Sequence, residues 1–165
     1  MKRSLITIFL ISLIVNFISL IFLPDQLAIH FGSSGYPDNW SSKYFHCLLF
    51  TIIFTGFFLL YYFIPVLIFK IPHKYINLPN RNHWLDEKYY QLTKNKISSM
   101  LYEMGISLFV FFLLVYFLVV TANLSDPVKL PVYLFLPILI AYLLYILIWL
   151  VRFFVFFMKS TPPED

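Results

Sequence analysis

Side chains suited to molecular recognition are concentrated in two loops of this sequence, and the first loop covers residues 24–45. Its candidate binding residues are His30, Phe31, Asp38, Trp40 and Lys43. An imidazole, a carboxylate, an indole and an ammonium group close together provide hydrogen bonds, charge and an apolar surface for a ligand or peptide. The same residues also suit a folded cap on a helical hairpin, and the sequence leaves both interpretations open.

The second loop covers residues 70–104 and contains the candidate binding residues Asn80, Arg81 and Trp84. Arginine and tryptophan are residue types favoured at the energetic centres of protein interfaces. Binding residues are often carried on loops that a plain scaffold holds in position. We therefore expect this loop to take part in contacts with other integral membrane proteins.

Reactive residue types occur, but their spacing does not predict catalysis or metal binding. His30 with Asp25, Asp38 or His46 offers metal ligands, yet these spacings match no zinc pattern. The sequence contains no phosphate-binding glycine loop. Its apolar stretches contain no Asp, Glu or Lys for a proton relay or an ion pathway. We therefore expect a non-enzymatic protein with no catalytic residue, no metal and no cofactor.

The composition indicates an integral membrane protein. Of the 165 residues, 61% are hydrophobic, 21% are aromatic and only 12% are charged. Soluble domains average about 45–50% apolar and about 25% charged residues, and they do not tolerate apolar patches as large as this surplus implies. The net charge of +4 comes from basic residues that flank apolar stretches. This placement favours contacts with lipid head groups over binding of nucleic acid.

The apolar stretches predict an all-α integral membrane protein with a four-transmembrane-helix bundle. The predicted spans of this single membrane domain, residues 1–165, are 5–23, 47–69, 105–122 and 130–151. Each is long enough to cross a hydrocarbon core of about 30 Å as a helix, and lipid favours helices because backbone groups must be satisfied internally. We interpret the first stretch as a retained anchor, because no small-residue cleavage site follows it.

The distribution of positive charge predicts the orientation of the chain. Ten of the twelve basic residues flank the spans on one side, and only Lys43 and Lys129 fall on the other. The positive-inside rule then predicts cytoplasmic N and C termini, with residues 24–45 and 123–129 outside.

The loops are expected to be structured to different degrees. Residues 28–31 suit a short extended segment before a Gly-Ser-Ser-Gly turn, so we expect an ordered exterior loop. Residues 71–84 contain two prolines and are expected to lack regular structure. Residues 86–104 predict a cytoplasmic amphipathic helix that lies on the membrane and leads directly into the third span. Residues 161–165 are expected to fray.

Two sequence stretches resemble a known family. The first loop contains, in order, Leu23-Pro24, His30-Phe31, Gly35-x-x-Asp38-x-Trp40 and Lys43. Over roughly residues 5–70 this order resembles the N-terminal domain of unknown function of the bacterial SdpI-like membrane proteins. Residues 76–84, Ile-Asn-Leu-Pro-Asn-Arg-x-x-Trp, resemble the cytoplasmic loop of short stand-alone members. Longer members have a second domain of additional spans that this sequence does not contain.

Two functions follow from these observations. The first is a non-enzymatic binding or accessory subunit of a membrane protein complex, whose partners are other integral membrane proteins and lipids. The alternative is implied by the resemblance: an SdpI-like immunity or signalling protein that recognises a secreted peptide or toxin through the exterior loop. The resemblance also implies a multi-pass protein of the bacterial cytoplasmic (inner) membrane.

Overall fold

The computed structural model describes residues 1–159, and the predicted frayed tail at 161–165 lies outside them. In chain order, the elements of this part of the chain are helix α1 (Lys2–Ser19), strands β1 (Gln26–Phe31) and β2 (Pro37–Ser42), and helices α2 (Lys43–Leu67), α3 (Arg81–Trp84), α4 (Glu87–Asn123) and α5 (Val132–Met158). Within residues 1–159, α1, α2, α4 and α5 are long and apolar enough to cross a membrane. Four such helices indicate a multi-pass membrane protein and confirm the predicted helical class.

The helix ends differ from the predicted spans. Helix α1 ends at Ser19 rather than at residue 23, because the backbone N–H of Phe22 donates to Ser19 O at 3.0 Å and tightens the last turn before Pro24. Helix α2 begins four residues early, because the Ser42 hydroxyl accepts a hydrogen bond from the Phe45 N–H at 3.2 Å and caps the helix.

The predicted cytoplasmic helix and the predicted third span form one continuous helix, α4. Asp86 caps its start, since the carboxylate accepts a hydrogen bond from the Lys88 N–H at 3.0 Å. The 37 residues of α4 reach about 55 Å, which exceeds the thickness of a hydrocarbon core of about 30 Å. The first turns of α4 therefore extend beyond the apolar part of the bundle.

Helices α1, α2 and α4 form the main helical core. Its buried side chains are Leu5, Phe54, Phe109 and Leu113. The close contact of α2 with α4 requires Gly105, because a Cβ atom there would lie 2.7 Å from Cγ of Tyr61.

Helix α5 packs mainly against α4 and buries little of its own surface. Within the described part of the chain, Phe157 is its one buried residue. Arg152 joins the two helices through an ion pair with Glu103, in which Nη1 and Oε1 are 2.6 Å apart. An apolar groove of about 370 Å³ lies between α4 and α5.

Strands β1 and β2 form an antiparallel hairpin between α1 and α2. The predicted extended segment at 28–31 is part of β1, which begins two residues earlier. Strand β2 was not predicted, because its sequence Pro-Asp-Asn-Trp-Ser-Ser is poor in strand-favouring residues. Residues 71–84 were expected to be irregular, yet they include a 3₁₀ turn at His73–Tyr75 and helix α3.

The hairpin turn closes at Gly35, whose φ of +82° is accessible to glycine at little cost. The Leu130 N–H donates to Gly35 O at 2.8 Å, so the tip of the hairpin rests on the connection between α4 and α5. A Cβ atom on residue 35 would lie 2.4 Å from Leu130 O.

We predict that Gly35→Ala lowers the free energy of unfolding by about 1–3 kcal/mol, because the substitution combines backbone strain with a steric clash. A denaturing-detergent titration of the purified protein measures this change. Gly56→Ala is the matched control. A Cβ there meets no atom within 4 Å, so we expect it to be neutral or stabilising by up to about 1 kcal/mol. Equal effects of the two substitutions would contradict the prediction.

Candidate functional site

The hairpin is fastened to the helices by a buried asparagine. The Ala28 N–H donates to Asn123 Oδ1 at 2.7 Å, and Asn123 Nδ2 donates to Ala28 O at 3.0 Å. The amide of Asn123 therefore takes the position that a third strand would occupy beside β1. Ala28 and Leu27 are fully buried, and Asn123 is 5% exposed. Since buried backbone groups need partners, this pair of hydrogen bonds determines where β1 lies.

A polar network lies under the hairpin, between α1, α2 and α4. Asn16 is fully buried, and its Nδ2 donates to Cys47 O at 2.9 Å and to Thr51 Oγ1 at 3.0 Å. The Tyr116 hydroxyl donates to Asn16 Oδ1 at 3.1 Å and also bonds to the Ser19 hydroxyl. The amide of Asn16 thus has partners on the two other helices of the core.

The base of the hairpin is closed by Asp25 and Lys43. The Lys43 backbone N–H donates to Asp25 O at 3.1 Å, and Lys43 Nζ lies 2.9 Å from Asp25 Oδ1. The hydrogen bond and the charge of Lys43 lower the pKa of the Asp25 carboxyl. The side chain of Lys43 is only 18% exposed, so this predicted binding residue is mainly engaged within the protein.

The outer surface of the hairpin carries His30, Asp38 and Trp40. His30 Nδ1 and Asp38 Oδ1 are 2.5 Å apart, and their side chains are 68% and 53% exposed. Trp40 is 48% exposed, while Phe31 is partly buried. The structure therefore brings the predicted residues together on one hairpin. We call the exposed trio His30, Asp38 and Trp40 the hairpin surface.

Another exposed aromatic on the hairpin was missed by the sequence analysis. Tyr36 is 51% exposed, and Lys129 Nζ lies 4.4 Å from the centre of its ring. Lys129 belongs to the connection between α4 and α5, so sequence spacing gave no indication of this contact. Tyr36 therefore adds a second exposed aromatic ring to the hairpin.

The second predicted set occupies the opposite end of the bundle, which we call the Trp84 end. Trp84 is fully buried, and its Nε1 donates to Phe157 O at 2.8 Å. Asn80 Nδ2 donates to Met158 O at 2.6 Å. These bonds satisfy carbonyl groups at the end of α5 that have no partner within the helix. Asn80 and Arg81 are exposed, and Arg81 is the charged residue of the predicted three.

The described residues offer little for metal or nucleophilic chemistry. Within residues 1–159 no group of three or more His, Cys, Asp or Glu is arranged to hold a metal ion. Cys47 is buried, and its Sγ accepts a hydrogen bond from Asn16 Nδ2 at 3.5 Å. The hairpin surface presents a charged pair and an indole on a fixed support.

Comparison with protein families gives one match. A family model described as a domain of unknown function, DUF1648, matches residues 7–55. The matched segment covers most of α1, the whole hairpin and the first half of α2, so this part of the chain is similar to that domain. This match supports the resemblance of the N-terminal part of the sequence to a domain of unknown function. No curated protein and no solved structure matched the chain.

We predict that Asn123→Asp loosens the hairpin, because a carboxylate accepts from the Ala28 N–H but cannot donate to Ala28 O. A lost buried hydrogen bond costs about 1–3 kcal/mol, so proteolytic cleavage in the 32–36 turn should become faster. Asn39→Asp makes the same chemical change at an exposed position of β2 and serves as the control. Similar cleavage rates for wild type and Asn123→Asp would contradict the assigned role.

Proposed function

We propose that this chain is a non-enzymatic binding subunit of a membrane protein complex, which recognises another integral membrane protein through the hairpin surface. One observation carries the proposal. The hairpin is held at its middle by Asn123, at its base by Asp25 with Lys43, and at its tip by Leu130. His30, Asp38 and Trp40 are nevertheless exposed.

A rigid support favours binding for a physical reason. Association costs free energy when loops and side chains must be ordered, and a preorganised surface avoids much of this cost. The exposed indole of Trp40 can be buried against a partner, and a carboxylate with an imidazole can orient it. The hairpin lies where α1 ends and α2 begins, so a partner spanning the same membrane can reach it.

The alternative function is that of an SdpI-like immunity or signalling protein, which recognises a secreted peptide or toxin. One observation supports it. Within the described residues, the sheet has two strands, and no third strand pairs with β2. An unpaired strand edge can accept an extended peptide through backbone hydrogen bonds. The match to DUF1648 covers the hairpin, which is the part of the chain this function would use.

We further propose that the chain lies in the bacterial inner membrane with both termini in the cytoplasm and the hairpin outside. The charge asymmetry of the sequence supports this orientation. Lys2 Nζ lies 4.2 Å from the ring centre of Tyr62, and the Ser99 hydroxyl contacts Met1. These contacts put the N-terminus at the Trp84 end, together with most basic residues.

The orientation predicts the reactivity of introduced cysteines. A membrane-impermeant thiol reagent added to intact cells should modify Ser34→Cys in the hairpin turn and spare Asn82→Cys at the Trp84 end. Both positions are exposed, whereas native Cys47 is only 6% exposed and should give little background. The reverse pattern, or labelling of both variants, would contradict the orientation.

The binding function predicts a site-specific crosslink. A photoreactive phenylalanine derivative at position 40 should capture an integral membrane protein in native membranes, whereas the same group at Leu147, an outward-facing position of α5, should not. Asp38→Asn should reduce the yield about fivefold, because an interface contact of about 1 kcal/mol is lost. Asp126→Asn, a matched change at another exposed aspartate, should leave the yield unchanged.

The product of this crosslink decides between the two functions. An integral membrane protein whose capture depends on Asp38 supports the accessory subunit. A secreted peptide with the same dependence supports the immunity or signalling function. Capture of nothing but a second copy of the chain would contradict both.

A further inference from the structure

Two cavities adjoin each other at the Trp84 end, far from the hairpin. An apolar cavity of about 280 Å³ lies between α4 and α5, and its deep walls are Ile97, Met100, Trp149 and Phe153. A polar depression of about 490 Å³ is lined by Asn77, Asn80, Arg81, Asn82 and His83. Both spaces are also bounded by Ile76 and Leu78. One short segment therefore separates an apolar cavity from a polar one.

The polar depression has groups that suit a phosphate. The guanidinium of Arg81 is oriented by a hydrogen bond from Nη1 to Lys74 O at 3.0 Å. Among the ion pairs formed within residues 1–159, none involves Arg81. His83 Nε2 is buried and has no hydrogen-bond partner in the same part of the chain. Arginine presents donors in a fork that matches phosphate oxygens.

Within residues 1–159, the carboxylate of Asp86 shares a depression with Arg81. Asp86 borders a smaller depression on the other side of Arg81, together with His73 and Lys74. Its Oδ1 accepts the hydrogen bond from the Lys88 N–H that caps α4. The surroundings of Arg81 therefore keep an excess of positive groups.

The neighbouring surface indicates contact with a bilayer. Helix α2 ends at Leu67, and the segment that follows exposes Ile71 by 42% and Tyr75 by 66%. Lys70 and Lys74 alternate with these apolar residues, and Lys74 Nζ lies 4.9 Å from the ring centre of Tyr75. Apolar and basic side chains in alternation are typical of a segment at the membrane–water interface.

We propose that the Trp84 end is a binding site for an anionic phospholipid. The phosphate group lies in the polar depression, where it receives hydrogen bonds from Arg81. One acyl chain enters the apolar cavity between α4 and α5. The adjoining apolar cavity favours a lipid over a soluble phosphate, because a soluble ion would leave that cavity unused.

The test uses the full chain reconstituted in nanodiscs of phosphatidylcholine with a minor fraction of phosphatidylglycerol. Native mass spectrometry after extraction into mild detergent counts the lipids that remain bound. We expect the wild type to retain phosphatidylglycerol in preference to phosphatidylcholine. Arg81→Gln removes a charge-assisted contact and Asn82→Asp places a negative charge in the polar depression, so each should weaken this retention about tenfold.

Lys88→Gln is the matched control, because all three variants lower the net charge by one and Lys88 borders neither cavity. Asn82→Asp keeps the test valid if Arg81→Gln fails to fold, since Asn82 is exposed. Leu101→Trp, which fills the apolar cavity from a partly buried position, should also weaken retention.

Three results would overturn the proposal. The first is wild-type protein that retains both lipids equally. The second is equal loss in Lys88→Gln and Asn82→Asp, which would indicate general charge attraction. The third is displacement of phosphatidylglycerol by millimolar inorganic phosphate together with normal retention in Leu101→Trp, which would indicate a site for a soluble anion.

Discussion

The reciprocal hydrogen bonds between Asn123 and the peptide group of Ala28 link the two parts of the molecule that meet at the hairpin end. Asn123 closes the long helix α4, and Ala28 lies in the middle of β1. A two-stranded hairpin is marginally stable on its own. Here the buried amide supplies the pairing that a third strand would give. The exposed pair of His30 with Asp38 therefore has a fixed position relative to the helices.

The same requirement, that buried backbone groups find partners, shapes the Trp84 end. There the indole of Trp84 and the amide of Asn80 satisfy carbonyl groups at the end of α5. Thr93 adds a hydrogen bond from its hydroxyl to Trp84 O at 2.6 Å, which ties α3 to α4. Side-chain donors at or near helix ends thus organise both ends of a bundle whose middle is packed by aromatic rings.

The sequence predicted the helical class, the four long apolar helices and the extended segment 28–31, because composition and hydrophobic length are local properties. It did not predict β2 or the early end of α1, since these depend on pairing and capping. Trp84 was predicted as a binding residue; in the structure it is fully buried, and its hydrogen-bond partner Phe157 is 73 positions away in the chain. The amide–hydroxyl contact of Asn16 with Tyr116, 100 positions apart, is equally invisible to a local pattern. A polar residue inside an apolar span was the available signal for Asn16.

The contacts of helix α5 affect how the protein unfolds. It is fixed near its start by the backbone contact of Gly35 with Leu130 and near its end by Trp84, while between them it buries little against α4. Free energies of local opening follow the amount of buried contact that is lost. We therefore expect the free energy of opening the groove between α4 and α5 to be smaller than that of separating α1, α2 and α4. Helix α5 is then expected to detach before the remaining core unfolds.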